Sequence, residues 1–156
     1  MGAANADRVS TLLDGVQRLA GDRAGPVVVC HGDPHLGNVL LGPDDEVWLV
    51  DWDDALLAPR ECDLMFVVGG VLAFAPITPD QERAVLAGYG AVDIDAARLA
   101  WFLAVRALDD LSDWTRQALD PTGSPDDRAT AARIVSGLVS PVGLVTLADT
   151  ALRNPA

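Results

Sequence analysis

The chain has 156 residues, of which 50% are apolar and 22% are charged, and this predicts one folded domain over residues 1–156. Its formal net charge is −12 and all 11 basic residues are arginine, so it lacks the basic face that nonspecific nucleic-acid binding requires. The absence of lysine excludes any chemistry for which this chain would have to supply one. Such acidity suits a metal ion or a cationic ligand, and it would equally serve solubility alone.

The composition also predicts a cytoplasmic protein with no membrane partner. Two cysteines are too few for a disulfide framework, and no signal peptide is recognisable at the start of the sequence. The longest uncharged run, Leu64–Pro79, is interrupted by glycines and by Pro76 and is short for a membrane span. We therefore expect this run to contain a buried core helix.

The first predicted element is an amphipathic helix that reaches Leu19. Asn5 or Asp7 is the expected cap of this helix, and Gly21 is its expected end. The apolar run Val27–Cys30 is rich in β-branched residues and predicts a short buried strand. The segment after it contains two glycines and a proline, which predicts an irregular loop.

The next predicted element is a β-hairpin. Its arms are Val39–Leu41 and Val47–Val50, and a polar turn with a glycine and a proline joins them. Asp51 therefore lies at the end of the second arm. Residues 51–59 are expected to form a loop, and residues 61–74 an apolar helix that is buried on most sides.

The rest of the chain predicts helices. One begins at Pro79, and a second begins at Asp93 or Asp95 and runs to Leu119. A last helical region opens near residue 126, and Pro141 should kink or split it. Short strands early in the chain followed by four or five helices predict a mostly helical α+β domain.

Three polar residues predict a site for chemistry near the hairpin. Asn38 precedes its first arm and Asp51 follows its second, so the fold of the hairpin places them side by side, with Asp33 nearby. Amide and carboxylate oxygens are the ligands that Mg²⁺ prefers, which suits Asn38 and Asp51. Asp33 would then be free to accept a proton from an attacking hydroxyl group. Such a cluster is typical of phosphoryl transfer, which depends on positioning and on charge compensation.

The same segment resembles the aminoglycoside phosphotransferase family of kinase-like enzymes. The resemblance is specific from about Val27 to Leu64 and rests on four elements in the family's order and spacing. They are His31-Gly32-Asp33, Asn38, Asp51-Trp52-Asp53, and Pro59 followed by Asp63-Leu64. The later helices fit the family's large lobe in general character.

The resemblance implies a role for each matched residue. Asp33 would be the catalytic base or the group that orients the hydroxyl, while Asn38 and Asp51 would hold Mg²⁺. His31 and Asp63 would support the catalytic loop. A substrate-facing rim would be formed by His35, Asp53 and Asp54. The implied reaction is transfer of the γ-phosphoryl group of ATP to a hydroxyl of a small, possibly cationic molecule such as an aminoglycoside.

Part of the family pattern is missing from this sequence. The family's ATP-binding small lobe supplies a lysine that contacts phosphate, whereas this chain has no lysine and few residues before Val27. The resemblance therefore implies a kinase-like C-terminal large lobe that is weak or inactive alone. Its expected protein partner is a separate N-terminal lobe or a second copy of the chain.

Two alternatives to an active phosphotransferase remain open from the sequence. One is a catalytically silent truncated lobe or a binding module that uses the old substrate cleft. The other is a metal-dependent hydrolase whose metal is held by His31, Asp33 and His35, with Cys30 and Cys62 available as further ligands.

Overall fold

The computed structural model of the chain describes residues 3–21, 25–68 and 77–154. Its helices are α1 (Ala3–Arg18), α2 (Glu61–Leu64), α3 (Pro79–Tyr89), α4 (Ala96–Leu119), α5 (Pro125–Leu138) and α6 (Leu144–Arg153). Its strands are β1 (Val27–Cys30), β2 (Val39–Leu41), β3 (Val47–Leu49) and β4 (Leu56–Pro59), and a short 3₁₀ helix covers Leu36–Asn38. Within these ranges, no helix is both long and apolar enough to cross a membrane.

The strands form two separate antiparallel pairs. β2 pairs with β3 with Val39 opposite Leu49, so the predicted hairpin is present. β1 pairs with β4 with Cys30 opposite Leu56, and the prediction of a loop throughout residues 51–59 is wrong. Strand β4 was missed because the whole β2–β3 hairpin separates it in sequence from its partner β1. A local sequence pattern does not indicate so distant a partner.

The prediction that β1 is buried is also wrong. Val27 is 58% exposed and Val29 is 70% exposed, while Cys30 at the end of the strand is buried. Leu57, which lies opposite Val29 on β4, is 71% exposed. We call Val27, Val29 and Leu57 the open sheet face. It is an apolar surface that the described residues do not cover, and surfaces of this kind are commonly association sites.

Helix α4 is the centre of the helical core. It contacts α1, α2, α5 and α6. Its buried face carries the small residues Ala100, Ala104 and Ala107 together with Leu103 and Leu111. Alanines at helical spacing let neighbouring helices approach closely, and the two leucines fill the space between them.

Side-chain caps explain where three of the helices begin. The Asp95 carboxylate accepts the Arg98 N–H at the start of α4. Thr78 and Gln81 form a reciprocal capping box at the start of α3, and Ser124 caps α5. The last helical region is split between α5 and α6, and Pro141 lies in the break as predicted.

The predicted helix over residues 61–74 is much shorter than expected. It is helical over Glu61–Leu64 and continues as turns to Val68. Residues 69–76 lie outside the described residues. Leu64, Met65 and Phe66 are nonetheless buried, so this segment enters the core as its apolar composition predicts.

A buried carboxylate fixes α2 to the start of α4. Glu61 is only 1% exposed, and its Oε1 accepts hydrogen bonds from the Asp95 N–H at 3.0 Å and from Arg98 Nη1 at 3.2 Å. A buried charge of this kind is tolerated because it is paired and hydrogen-bonded. Glu61 therefore sets the position of the residues that follow it in α2.

Replacing Glu61 with alanine should destabilise the fold, because Arg98 would lose a buried anionic partner. We expect a loss of about 3–5 kcal/mol in the free energy of unfolding, measured by urea denaturation. The matched control is Asp113→Ala, which removes the exposed partner of Arg116 and should cost less than about 1 kcal/mol. Equal losses in the two variants would show that the Glu61 contacts contribute nothing beyond a surface ion pair.

Candidate active site

The loop that follows β1 is held by the carboxylate of Asp63. The His31 N–H donates to Asp63 Oδ2 at 2.7 Å, and the Gly32 N–H donates to Asp63 Oδ1 at 2.9 Å. Asp63 belongs to α2, which is anchored in the core. Both oxygens of one carboxylate thus fix the start of the loop that carries Asp33.

Gly32 allows the loop to pass very close to the turn before β4. Its φ is 89°, and a Cβ at this position would lie 2.4 Å from the carbonyl oxygen of Asp54. A side chain would therefore be strained by the backbone conformation and would also collide with backbone atoms. Because Gly32 has no side chain, the Asp53–Asp54 turn can pack directly against the loop.

The imidazole of His31 connects the loop to the end of the hairpin. Its Nε2 donates to the Val50 carbonyl at 2.9 Å, and its Nδ1 accepts the Asp33 N–H at 3.3 Å. The ring is 1% exposed and lies 4.6 Å from the Trp52 ring, centroid to centroid. Both ring nitrogens are therefore engaged by the backbone on either side of the site.

Asn38 is buried and oriented by two hydrogen bonds. Its Nδ2 donates to the Asp33 carbonyl at 2.8 Å, and its own carbonyl accepts the Val50 N–H at 2.9 Å. No donor among the described residues reaches its Oδ1. The amide oxygen is thus left for a ligand from outside the chain.

Asp51 directly follows Val50 and has an unusual backbone conformation. Its φ is 66°, in the left-handed region, which costs a non-glycine residue about 1–3 kcal/mol. The hydrogen bond from Val50 to Asn38 brings the two ends of the hairpin together, so Asp51 and Asn38 are neighbours. The Asp51 carboxylate is exposed, and that it holds a hard cation together with Asn38 Oδ1 stays a prediction.

The carboxylate of Asp33 is held by an arginine that the sequence analysis did not identify. Arg106 on α4 donates from Nη1 to Asp33 Oδ1 at 2.9 Å. The other oxygen, Oδ2, lies 3.4 Å from Nε2 of His35 and makes no hydrogen bond within the described part of the chain. One sequence signal was available, because Arg106 interrupts an otherwise apolar stretch of the predicted helix, between Val105 and Ala107.

Arg106 is itself fixed by two further contacts. Its Nε lies 2.9 Å from Asp110 Oδ1, but not in hydrogen-bond geometry, so this is an ion pair only. Its guanidinium carbon lies 5.2 Å from the centroid of the Phe66 ring. Burial raises the pKa of Asp110, and the nearby Arg106 only partly opposes this effect.

The residues of the predicted substrate rim lie around this cluster. Asp53 and Asp54 are exposed in the turn before β4. His35 accepts the Gly37 N–H at Nδ1 and turns its Nε2 toward Asp33. Whether these three residues contact a substrate stays a prediction, as do the catalytic and metal-binding roles of the residues beside them.

The structure does not bring the three ligands of the alternative hydrolase together. Among the described residues, the metal-type side chains whose ligand atoms come within 4.8 Å of one another are Cys30, Cys62 and Asp63, and not His31, Asp33 and His35. Burial raises the pKa of the Cys30 thiol and raises that of Cys62 to about 12. Both Asp63 oxygens are already occupied by the loop.

The mostly helical α+β fold and this arrangement of Asp33, Asn38 and Asp51 define a kinase-like phosphotransferase lobe. Residues 3–102 match the phosphotransferase enzyme family, and the chain belongs to that family. The family resemblance and the fold class predicted from the sequence are therefore confirmed.

Two solved structures of spectinomycin phosphotransferase, APH(9)-Ia, share this fold. The complex with ADP and spectinomycin has a TM-score of 0.82 and 26% sequence identity, and the match covers 97% of this chain and 46% of that chain. The AMP-bound complex has a TM-score of 0.78 and 28% identity, and the match covers 93% of this chain and 45% of that chain. The chain thus spans about half the length of the solved proteins that it matches.

Replacing Asp63 with asparagine should loosen the loop. An amide has one acceptor oxygen, so one of the two N–H groups would face an NH₂ group, at a cost of about 1–3 kcal/mol. We expect faster hydrogen exchange at the His31 and Gly32 amides, measured by NMR. The exposed Asp53, replaced by asparagine, is the control, and unchanged exchange in the Asp63 variant would contradict the role of the carboxylate.

Asp110 should make stability fall as the pH rises from the acid side. Its folded pKa is raised, so the stability it contributes is present below its ordinary pKa of 3.8 and is lost as the pH rises through the folded value. Asp110→Asn removes this titration. The free energy of unfolding, measured with urea, should therefore fall more between about pH 4 and about pH 7 in wild type than in the Asp110→Asn variant. Asp109→Asn, at the exposed neighbouring position, should behave like wild type.

Proposed function

We propose that this lobe serves Mg²⁺-dependent transfer of the γ-phosphoryl group of ATP to a hydroxyl of a small molecule, with weak or no activity in the isolated chain. The observation that supports the proposal is the joining of the hairpin ends: the Val50 N–H donates to the Asn38 carbonyl, and Asn38 Nδ2 donates to the Asp33 carbonyl. Family membership and the fold match support the same reaction class.

The oxygen donors at the hairpin end fit Mg²⁺. Asn38 Oδ1 and the Asp51 carboxylate would supply the one or two protein ligands that this ion usually takes, and phosphate and water would supply the others. When bound, Mg²⁺ would neutralise charge on the phosphates of the nucleotide. The hydrogen bond from Asn38 Nδ2 to the Asp33 carbonyl supports this role, because it fixes the amide and leaves Nδ2 unable to replace Oδ1 as the group that faces a cation.

Asp33 would accept the proton of the acceptor hydroxyl. Its Oδ1 is engaged by Arg106, whereas Oδ2 faces His35 at 3.4 Å and is the oxygen available to a substrate. General-base catalysis of this kind typically contributes about 10²–10⁴-fold to a rate. The side chain is partly exposed, so a hydroxyl group can approach it.

The matched structures support a nucleotide donor and a small acceptor. One holds ADP and spectinomycin, and the other holds AMP. In this chain, the exposed Asp53 and Asp54 and the formal net charge of −12 would attract an acceptor that carries amino groups. A cationic, hydroxylated small molecule is therefore the acceptor class that we propose.

The open sheet face supports a protein partner. Its three residues are between 58% and 71% exposed, which is unusual for apolar side chains in paired strands. A separate ATP-binding lobe, or a second copy of this chain, would cover such a surface. The competing proposal is a catalytically silent lobe or binding module, and the absence of lysine favours it.

Calorimetric titration with Mg²⁺ and ATP separates these proposals. We expect wild type to bind and Asp51→Ala to bind at least about tenfold more weakly, a difference of ~1.4 kcal/mol, because a charged ligand oxygen is lost. Asp44→Ala, which removes an exposed carboxylate from the hairpin turn, is the matched control and should bind like wild type. No binding by a folded wild-type chain would favour the silent lobe.

A further inference from the structure

Arg106 reaches the active site from the centre of the helical core. Its neighbours on α4, Ala104 and Ala107, are fully buried, so the backbone at this position is fixed by packing. The side chain extends from the core to Asp33, which lies 73 residues earlier in the chain, and donates to its Oδ1 at 2.9 Å. This hydrogen bond connects the helical core to the Asp33 carboxylate and orients it.

The guanidinium group has little freedom of its own. Asp110 lies 2.9 Å from Nε on one side, and the Phe66 ring lies 5.2 Å from Cζ on another. A guanidinium is a planar fork, so contacts at Nε and Nη1 define its orientation as well as its position. Arg106 is therefore a rigid donor on a rigid helix, whereas Asp33 belongs to a loop.

We propose that Arg106 is the positioning residue for Asp33, holding Oδ1 so that Oδ2 is presented to the acceptor hydroxyl. The inference rests on the proposed function and deepens it. In the reaction, the hydroxyl oxygen forms a bond to the γ-phosphorus, the bond from that phosphorus to the departing ADP oxygen breaks, and the hydroxyl proton passes to Asp33. Arg106 exchanges no atom in this step.

Charge explains why Asp33 needs such a restraint. A cation held by Asn38 and Asp51 would attract the Asp33 carboxylate, and an acid that became a third metal ligand would no longer face the acceptor. The ion pair with Arg106 opposes this movement. A displacement of about 1 Å in a reacting group typically lowers a rate about 10²-fold, so the restraint has a large kinetic effect.

The ordering of Asp33 is testable by NMR without nucleotide or acceptor. Three-bond Hα–Hβ couplings report whether Asp33 occupies one side-chain rotamer or several. We expect one rotamer in wild type, averaged couplings in Arg106→Met, and an intermediate result in Arg106→Lys, which keeps the charge but loses the fork. Arg116→Met, at an exposed arginine on the same helix, is the matched control and should leave Asp33 unchanged.

Where wild type shows turnover, kinetics then test whether this ordering serves the reaction, with ATP as donor and spectinomycin as the acceptor probe. Arg106→Met should lower kcat by roughly 10–100-fold at an unchanged KM for ATP. In an Asp33→Asn background the same substitution should have no further effect, because Arg106 acts through Asp33. An additional loss in that background, or an unchanged kcat, would overturn the proposal.

The two levels of the proposal fail in distinguishable ways. A single Asp33 rotamer in folded Arg106→Met would overturn the positioning role whatever the chain does with ATP. Failure of wild type to bind Mg²⁺ and ATP would instead overturn the proposed function, and the couplings would still show whether Arg106 orders Asp33.

Discussion

The carboxylate of Asp63 joins the helical core to the loop that carries Asp33. Two consecutive backbone N–H groups, from His31 and Gly32, point at its two oxygens. Charge-assisted hydrogen bonds of this kind are stronger than neutral ones, and here both converge on a helix that Glu61 fixes to α4. The loop therefore takes its position from the core.

His31 extends this hydrogen-bond network from the Asp63 carboxylate to the end of the hairpin. Its ring binds Val50 on one side and the Asp33 N–H on the other, and Val50 in turn binds Asn38. Asn38 completes the network by donating from Nδ2 to the Asp33 carbonyl. Asp33 and Asn38 are thus linked by backbone-directed hydrogen bonds, and Asp51 directly follows the Val50 that takes part in them.

Local and distant information contributed differently to what the sequence could predict. The hairpin and the clustering of Asn38 with Asp51 were predictable, because a polar turn between two short strands fixes both. Strand β4 and the exposure of Val29 were not, since both depend on a pairing between segments far apart in sequence. Arg106 was missed for a related reason: its place in an apolar stretch of α4 marks it as unusual, but the local pattern does not show that its partner is Asp33, 73 residues earlier.

The two buried thiols, Cys30 and Cys62, can report the separation of the loop from α2. Cys30 immediately precedes His31, and Cys62 immediately precedes Asp63, so each cysteine is attached to one end of the hydrogen bonds between loop and helix. Burial raises the pKa of both thiols and keeps them from solvent, so an alkylating reagent would modify them only in molecules that have separated at this point. The rate of thiol modification would therefore report how often the loop that carries Asp33 separates from α2.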